Sequence, residues 1–170
     1  EKGDIYINDA FGACHRAHAS IVGIPKYLPS GAGFLLEKEI KTLNGLTKNP
    51  KKPLVAIVGG AKVETKVKLI DKISEKADFV LISGLISKGV IGQKIKLKHP
   101  EKIVFPIDEA GGGKDIGQET VKLFKEKILQ AKTIFWNGPF GKIEEEKFAH
   151  GSEEIVKAII ESKAKRKGKE

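Results

Sequence analysis

The feature that most constrains the fold is a pair of short apolar runs with one amphipathic stretch between them. The runs are LVAIV at residues 54–58 and FVLI at residues 79–82, and KVETKVKLIDKISEKA at residues 62–77 separates them. Uninterrupted apolar runs of this length are typical of strands buried on both faces, whereas the separating stretch has helical periodicity. The three segments together predict a βαβ unit with parallel strands and a right-handed crossover.

The same alternation continues along the rest of the chain. Residues 102–108 (KIVFPID) and 132–138 (KTIFWNG) have strand character, and residues 118–131 and 145–162 have helical character. The three glutamates at 144–146 are predicted to open the last helix, because carboxylates complement the helix dipole there. The pattern predicts an α/β fold in which helices cover both faces of a parallel, Rossmann-like sheet, giving three layers.

The first part of the chain has a looser pattern. Residues 4–9 (DIYIND) are predicted to form a strand, and residues 30–46 a loop followed by an amphipathic helix. The PKKP sequence at residues 50–53 cannot continue a helix, since it carries two prolines. We expect a linker and a domain boundary there.

Glycines follow several of the predicted strands. Gly59 and Gly60, Gly84 and Gly138 stand at strand ends, and Gly111–Gly113 follow another strand at a greater distance. The carboxyl ends of parallel strands meet at one edge of a sheet, so these turns are predicted to gather where backbone amides and helix N-termini favour anions. Neither the Walker A spacing nor the Rossmann G-x-G-x-x-G motif is present.

Two lysines come directly after the first glycine pair. Lys62 and Lys66 are four residues apart, which would place both ammonium groups on one face near the start of a helix. A cation is unfavourable at a helix N-terminus unless an anion compensates for it. Two interpretations stay open: a phosphate-binding turn, or two solvated lysines in a lysine-rich chain.

The net charge of +9 comes almost entirely from lysine, because only Arg16 and Arg166 among the 31 basic residues are arginine. Most lysines alternate with glutamates, as on solvated helix faces, and no basic stripe is interleaved with aromatic residues, so nucleic acid is not favoured as a partner. Arg16 is the only arginine outside the basic last ten residues. Its planar fork suits a specific phosphate or carboxylate, with a structural ion pair as the rival interpretation.

Several classes of protein are excluded or disfavoured. No apolar stretch has membrane-spanning length, and the first residues carry no signal-peptide pattern and no initiating Met, so the start is expected to be a cut. The single cysteine, Cys14, excludes an internal disulfide and suits a reducing compartment. We expect it to be a small, buried or half-buried side chain rather than a thiolate paired with His15. No cluster of residues at metal-ligand spacing appears.

The DAFGACHRAHAS sequence at residues 9–20 concentrates polar chemistry after the first predicted strand. Asp9, His15, Arg16 and His18 lie within ten residues of one another. They could form an acid–base cluster, a phosphate grip or a hydrogen-bonded turn, and hydrolase chemistry is disfavoured because no nucleophile has a convincing partner.

Several strings taken jointly identify a family. NDAFGACHRAHASIVGI, AGFLLEKEI, VAIVGGAKVETK, DIGQET and FWNGPFGKIEEEKFAHGS occur in the order and character seen in phosphoglycerate kinase, and the resemblance runs to about residue 160. It implies a cytoplasmic, usually monomeric glycolytic kinase that reversibly transfers a phosphoryl group from 1,3-bisphosphoglycerate to ADP, giving ATP and 3-phosphoglycerate. Mg²⁺ accompanies the nucleotide, and the reaction takes place across a cleft between two α/β domains.

The resemblance also implies roles for individual residues. Arg16 corresponds to a substrate-contacting and catalytic arginine, Lys62 to the catalytic lysine that stabilises the transferring phosphoryl group, and Lys66 to a lysine on the nucleotide phosphates. Glu144 corresponds to the glutamate that binds the ribose hydroxyls. The remaining nucleotide-binding positions are Gly59, Gly60, Gly113, Asn137 and Pro139.

The implied domain organisation is incomplete relative to the family. Residues 1–29 correspond to a remnant of the substrate-binding domain, residues 30–50 to an interdomain helix and hinge, residues 51–160 to the nucleotide-binding domain, and residues 161–170 to a basic tail. Most of the N-terminal domain and the later GGGDT loop have no counterpart, ISGLIS replaces a glycine-rich turn, and the segment before KIVFPID is shortened.

Three functions therefore remain open. The chain could be an active kinase, an impaired relative that only binds nucleotide, or a basic protein whose tail binds polyanions. An unpaired sheet edge left by the missing parts would favour self-association.

Overall fold

The computed structural model describes residues 3–167, which divide between residues 49 and 50 into a first unit and a second unit. The helices are α1 Phe34–Lys48, α2 Val63–Ser74, α3 Gly84–Gly92, α4 Gln118–Gln130 and α5 His150–Lys167. The strands are β1 Tyr6–Asn8, β2 Ser30–Ala32, β3 Leu54–Val58, β4 Phe79–Ile82, β5 Ile103–Val104, β6 Glu109–Ala110, β7 Asp115–Ile116 and β8 Thr133–Asn137.

The first unit is a short parallel pair of strands followed by α1. Tyr6 of β1 pairs with Ser30 of β2, which confirms the predicted first strand. The second strand lies in a stretch predicted to be a loop, because its Ser-Gly-Ala sequence has no apolar pattern from which pairing could be predicted. The Asp9 carboxylate accepts a hydrogen bond of 2.8 Å from the backbone N–H of Leu36, which caps the start of α1.

The second unit is built on one sheet with the strand order β5-β4-β3-β8. All of its neighbouring strands are parallel, with Val55 opposite both Phe79 of β4 and Ile134 of β8. The four predicted strands of this part of the chain are thus confirmed. β3 lies inside the sheet, and all five of its residues are buried, as its continuous apolar sequence predicts.

Helices cover both faces of this sheet. The core on one face combines residues of β3 and β4 with residues of α4 and α5, including Val55, Ile57, Leu81, Phe124, Ile128 and Ile155. Neighbouring strand residues point to the opposite face, where α2 packs against β3 and β4 and also contacts α3. The three-layer α/β fold is confirmed, and each large core side chain contributes about 1.5–3 kcal/mol through burial.

The start of the last helix differs from the prediction. Glu144 and Glu145 lie in a turn, Glu146 begins a short 3₁₀ turn at Glu146–Phe148, and α5 itself begins at His150. The reason is tertiary: the buried carboxylate of Asp115 accepts a 2.8 Å hydrogen bond from the N–H of Gly151. A side chain from a distant segment therefore caps α5, in place of the local glutamates.

The glycine-rich segment after β5 is a small antiparallel hairpin rather than an irregular loop. Glu109 pairs with Ile116 and Ala110 with Asp115, so the glycines form the tip. Gly111, Gly112 and Gly113 all have positive φ, a region that residues with a Cβ rarely adopt. Next to this tip, the buried Asp115 joins the hairpin to α5 by accepting the hydrogen bond from Gly151.

α5 extends into the predicted basic tail. It runs to Lys167, so most of residues 161–170 continue this helix, while residues 168–170 lie outside the described part of the chain. Between residues 3 and 167, no helix has the length and apolar content needed to cross a membrane.

Candidate functional site

The turns that follow β3 and β8 are joined beyond the ends of the strands. The N–H of Gly59 donates to the carbonyl oxygen of Asn137 at 2.9 Å, and that of Gly60 to Pro139 at 2.8 Å. A Cβ on Gly59 would overlap the Pro139 carbonyl, and Gly60 and Gly138 have φ of 100° and 85°. Both turns therefore need glycine for a physical reason, namely close backbone approach or left-handed geometry.

Lys66 brings a positive charge to these joined turns. It lies in the first turn of α2, and its ammonium group donates a hydrogen bond to Oδ1 of Asn137. The ammonium group lies close to two glycines. A Cβ built on Gly60 would be 3.7 Å from Nζ of Lys66, and a Cβ built on Gly138 would be 3.4 Å from it. Partial burial lowers the pKa of Lys66. An anion at this point would restore the stabilisation that the ammonium loses on leaving water.

A cavity of about 510 Å³ opens beside the turns. Its volume lies in the range of small-molecule sites, and its walls come from four segments of the second unit. The lining residues are Gly60, Ala61, Leu85, Gly112, Gly113, Lys114, Pro139, Phe140, Gly141, Lys142 and Glu144.

The structure brings most of the predicted nucleotide-binding residues to this cavity. Gly60, Gly113, Pro139 and Glu144 line it directly. Gly59, Lys66 and Asn137 are not lining residues, but Gly59 and Asn137 belong to the joined turns, and the ammonium group of Lys66 lies beside these turns. The expectation that glycine-bearing strand ends gather at one edge of the sheet is thus confirmed for these turns.

The hairpin wall of the cavity is held by its neighbours. Gly111 lies against the ring of Phe148, where a Cβ would overlap the ring, and the Lys114 ammonium lies 4.9 Å from the centroid of that ring. The N–H of Lys142 donates to the carbonyl oxygen of Lys114 at 3.0 Å. Sequence analysis missed Leu85, Lys114 and Lys142 as lining residues, because only tertiary structure brings them together.

Lys62 is placed elsewhere. It caps the start of α2, where its carbonyl oxygen accepts a hydrogen bond from the N–H of Lys66 at 3.2 Å, but its own backbone angles are not helical. Its side chain lines a separate concavity of about 360 Å³ with Val63, Thr65 and Gln93. The structure therefore does not place Lys62 along the larger cavity.

The polar cluster of the first unit has mainly local bonds. Nε of Arg16 donates to Nε2 of His15 at 3.1 Å, and the side chain of Arg16 is exposed. The carboxylate of Asp9 caps α1, which fits the hydrogen-bonded turn among the predicted roles and not an acid–base cluster. Cys14 is half-buried, as predicted, and its thiol donates to the carbonyl oxygen of Ala10 at 3.2 Å.

A resident metal is not supported by the side chains near the cavity. Among residues 3–167, no group of three or more His, Cys, Asp or Glu side chains could hold an ion. Glu144 is the only carboxylate in the lining of the cavity. A magnesium ion needs few protein ligands when phosphates and water complete its shell, but these residues do not form a protein-only site.

Comparison with known proteins gives a consistent result. The family model described as phosphoglycerate kinase matches residues 1–94 and 88–168. Phosphoglycerate kinase of Rubrobacter xylanophilus is 39% identical, over 95% of the chain and 52% of that protein, and its counterpart in Thermosipho africanus is 41% identical, over 97% and 52%. The crystal structure of phosphoglycerate kinase from Pyrococcus horikoshii superposes with a TM-score of 0.83 and 29% identity, over 94% of the chain and 52% of that structure.

Two features of these matches concern the extent of the chain. It spans about half the length of the curated relatives it matches. The alignment with the Rubrobacter protein covers 202 residues, more than the 170 of the chain, so the relative has residues within the aligned region that this chain lacks. The two family-model segments overlap at 88–94, near the stretch predicted to be shortened.

Proposed function

Because the chain belongs to the phosphoglycerate kinase family, we propose that its second unit binds ADP and ATP and takes part in phosphoryl transfer between 1,3-bisphosphoglycerate and ADP. The observation that carries this proposal is the position of Lys66. Its ammonium group lies beside Gly60 and Gly138 in the joined turns, and Gly60 lines a cavity of nucleotide-compatible volume.

The nucleotide phosphates would lie at the joined turns. Lys66 neutralises phosphate charge there, and Asn137 orients the ammonium by accepting one of its hydrogen bonds. Glycine at positions 60 and 138 leaves room for phosphate oxygens to approach the main chain. Phosphoryl transfer depends mainly on positioning and charge neutralisation, which these groups supply without covalent chemistry.

The ribose would lie beside Glu144. Glu144 is exposed in the lining, and its carboxylate can accept hydrogen bonds from two neighbouring hydroxyls. Lys62 and Arg16 are proposed to meet the transferring phosphoryl group and the phosphoglycerate substrate, respectively. These two roles rest on the family resemblance, because Lys62 lines a different concavity and Arg16 belongs to the first unit.

Magnesium is proposed to enter with the nucleotide. When bound, it would screen the charge on the phosphates. The roles given above to Lys66, Asn137 and Glu144 do not require these residues to bind the ion. Within residues 3–167, no cluster of His, Cys, Asp or Glu side chains could hold it. A cytoplasmic location is proposed from the family and is compatible with the single half-buried thiol.

A coupled assay tests the complete function. ATP formation from 1,3-bisphosphoglycerate and ADP is measured with the wild-type chain and with Lys66→Met, which keeps the apolar stem and removes the charge. We expect turnover that falls by about 10²-fold or more in the variant, as for loss of one electrostatic contact to a transferring group. Equal rates for the two proteins would overturn the proposal.

The second candidate function is nucleotide binding without transfer. It is favoured by one observation, the separation of Lys62 from the cavity that holds the other predicted residues. ADP binding with no ATP formation would support this candidate, and clear turnover would eliminate it.

A further inference from the structure

The hairpin β6–β7 is a wall of the cavity that does not belong to the main sheet. Its two strands pair only with each other among the described residues, while Gly112 and Gly113 at its tip line the cavity. Leu85, in the first turn of α3, also lines the cavity. Because the hairpin and α3 both contribute lining residues, their relative position affects the shape of the cavity.

One ion pair joins these two walls. Nζ of Lys88, on α3, lies 2.8 Å from Oε2 of Glu109, on β6. The Lys88 side chain is 53% exposed and that of Glu109 31%. Neither residue lines the cavity, so the pair would influence a ligand through the position of the hairpin, in addition to the longer-range effect of its charges.

Two glycines make room for this pair. A Cβ on Gly84, the first residue of α3, would lie 3.2 Å from Oε1 of Glu109. A Cβ on Gly113 would lie 3.0 Å from Oε2 of Glu109 and would overlap the Lys88 ammonium. The carboxylate is thus seated between the start of α3 and the hairpin tip, where the positive end of the helix dipole also favours it.

The other side of the hairpin is attached independently. Gly111 packs on Phe148, and Lys114 accepts a backbone hydrogen bond from Lys142. Loss of the ion pair would therefore remove the contact between β6 and α3, while these attachments and the bond from Gly151 to Asp115 of β7 still hold the rest of the hairpin. The expected consequence is a loosened wall in an otherwise folded unit.

We infer that Lys88 and Glu109 form a latch that positions the hairpin for nucleotide binding. The inference rests on the proposed function, because it concerns the shape of the same nucleotide-binding cavity. With the latch closed, Gly112 and Gly113 are held against the ligand. With the latch open, only a fraction of the molecules have the cavity shape that binds nucleotide. The apparent dissociation constant for ADP then equals the intrinsic constant divided by this fraction.

The test uses charge reversal and its repair. Lys88→Glu places two carboxylates together, and the pair is exposed enough that the expected weakening of ADP binding is about fivefold. The double exchange Lys88→Glu with Glu109→Lys restores an attractive pair and should return the affinity to within about twofold of wild type. The matched control is Lys98→Glu, which breaks a pair with Glu75 of similar exposure, 63% and 39%, in which neither residue lines the cavity.

Backbone amide hydrogen exchange without nucleotide gives a second readout. We expect faster exchange at Ala110 and Gly113 in Lys88→Glu, recovery in the double exchange, and unchanged exchange in β3 and β4. Wild-type exchange at the hairpin in Lys88→Glu, or failure of the double exchange to restore it, would overturn the latch. If wild type shows no ADP binding while the exchange pattern is as expected, the latch stands and the proposed function fails.

Discussion

The ammonium group of Lys66 donates a hydrogen bond to Oδ1 of Asn137, which joins the first turn of α2 to the last residue of β8. The bond holds a cation beside two glycine turns in the second unit. The carboxyl ends of β3 and β8 thus form one structure, because their register brings Val58 opposite Asn137. A charge held in place before the ligand arrives loses less entropy on binding.

The lowered pKa of Lys66 leads to a prediction about how ADP affinity depends on pH. Burial lowers its pKa from 10.5, so in alkaline solution the free protein loses this proton before an ordinary lysine would. A bound polyphosphate favours the ammonium form, hence ADP should bind with proton uptake, and its affinity should fall as pH rises through the lowered pKa. Calorimetric titrations across the alkaline range would measure this.

Lys66→Arg is the matched variant for the pH experiment. Its guanidinium stays charged throughout, so ADP affinity should be nearly flat over the same range. An equally steep decline in the variant would show that another group is responsible.

Gly138→Ala is predicted to destabilise the second unit more than Gly112→Ala. Both glycines have positive φ, 85° and 68°, so both substitutions incur backbone strain of about 1 kcal/mol or more. Only at Gly138 would the new Cβ also crowd a neighbour, lying 2.7 Å from the Gly59 carbonyl oxygen, whereas nothing lies within 4 Å at Gly112. Denaturant unfolding should show an extra loss of about 1–2 kcal/mol in Gly138→Ala. Equal losses would mean that the joined turns separate easily.

The lowered pKa of Asp108 is expected to account for part of the loss of folding stability in acid. Desolvation works to raise its pKa, but hydrogen bonds from the Thr120 hydroxyl and from the N–H groups of Thr120 and Glu119 together lower it below 3.8. A depressed pKa contributes stability that is fully present above 3.8 and is lost as pH falls through the folded-state value. The free energy of unfolding should therefore fall less steeply with acid in Asp108→Asn than in wild type. Equal slopes for Asp108→Asn and wild type would contradict this role of Asp108.

Asp115 predicts a capping effect on α5. It is 3% exposed and accepts hydrogen bonds from the N–H groups of Gly151 and Ile116, each at 2.8 Å. Asp115→Ala leaves the Gly151 donor unpaired and should cost about 2 kcal/mol of unfolding free energy. Asp115→Asn keeps an acceptor oxygen and should cost less. The reverse order, measured by urea unfolding, would contradict the role of the cap.

The sequence predicts the sheet well because its strands are buried on both faces. Runs such as residues 54–58 can be recognised from composition alone, and the helices between them follow from periodicity. The start of α5 could not be predicted, since its cap, Asp115, lies 36 residues before Gly151 in the chain. β2 was missed for a similar reason: its Ser-Gly-Ala sequence becomes a strand only by pairing with β1.

Some features of the candidate site could likewise be predicted from the sequence, and others could not. Glycines at strand ends predict an anion-binding edge from parallel topology, and of these glycines Gly60, Gly112 and Gly113 line the cavity. The spacing of Lys62 and Lys66 predicts the backbone bond between them, but it does not predict that Lys62 lines a separate concavity, because Lys62 precedes α2 and has non-helical backbone angles. Lys88 and Glu109 have no sequence signal at all, since their contact depends on how the hairpin meets α3.

The most direct test of the account is a calorimetric titration of ADP into the wild-type chain, Lys66→Met and Lys68→Met. Lys68 is an exposed lysine on the same helix, so its substitution controls for the change in net charge. The account predicts saturable binding by wild type with a dissociation constant at or below about 1 mM, the same affinity in Lys68→Met, and about tenfold weaker binding in Lys66→Met. No binding by wild type at millimolar ADP, or equal binding by Lys66→Met, would contradict it.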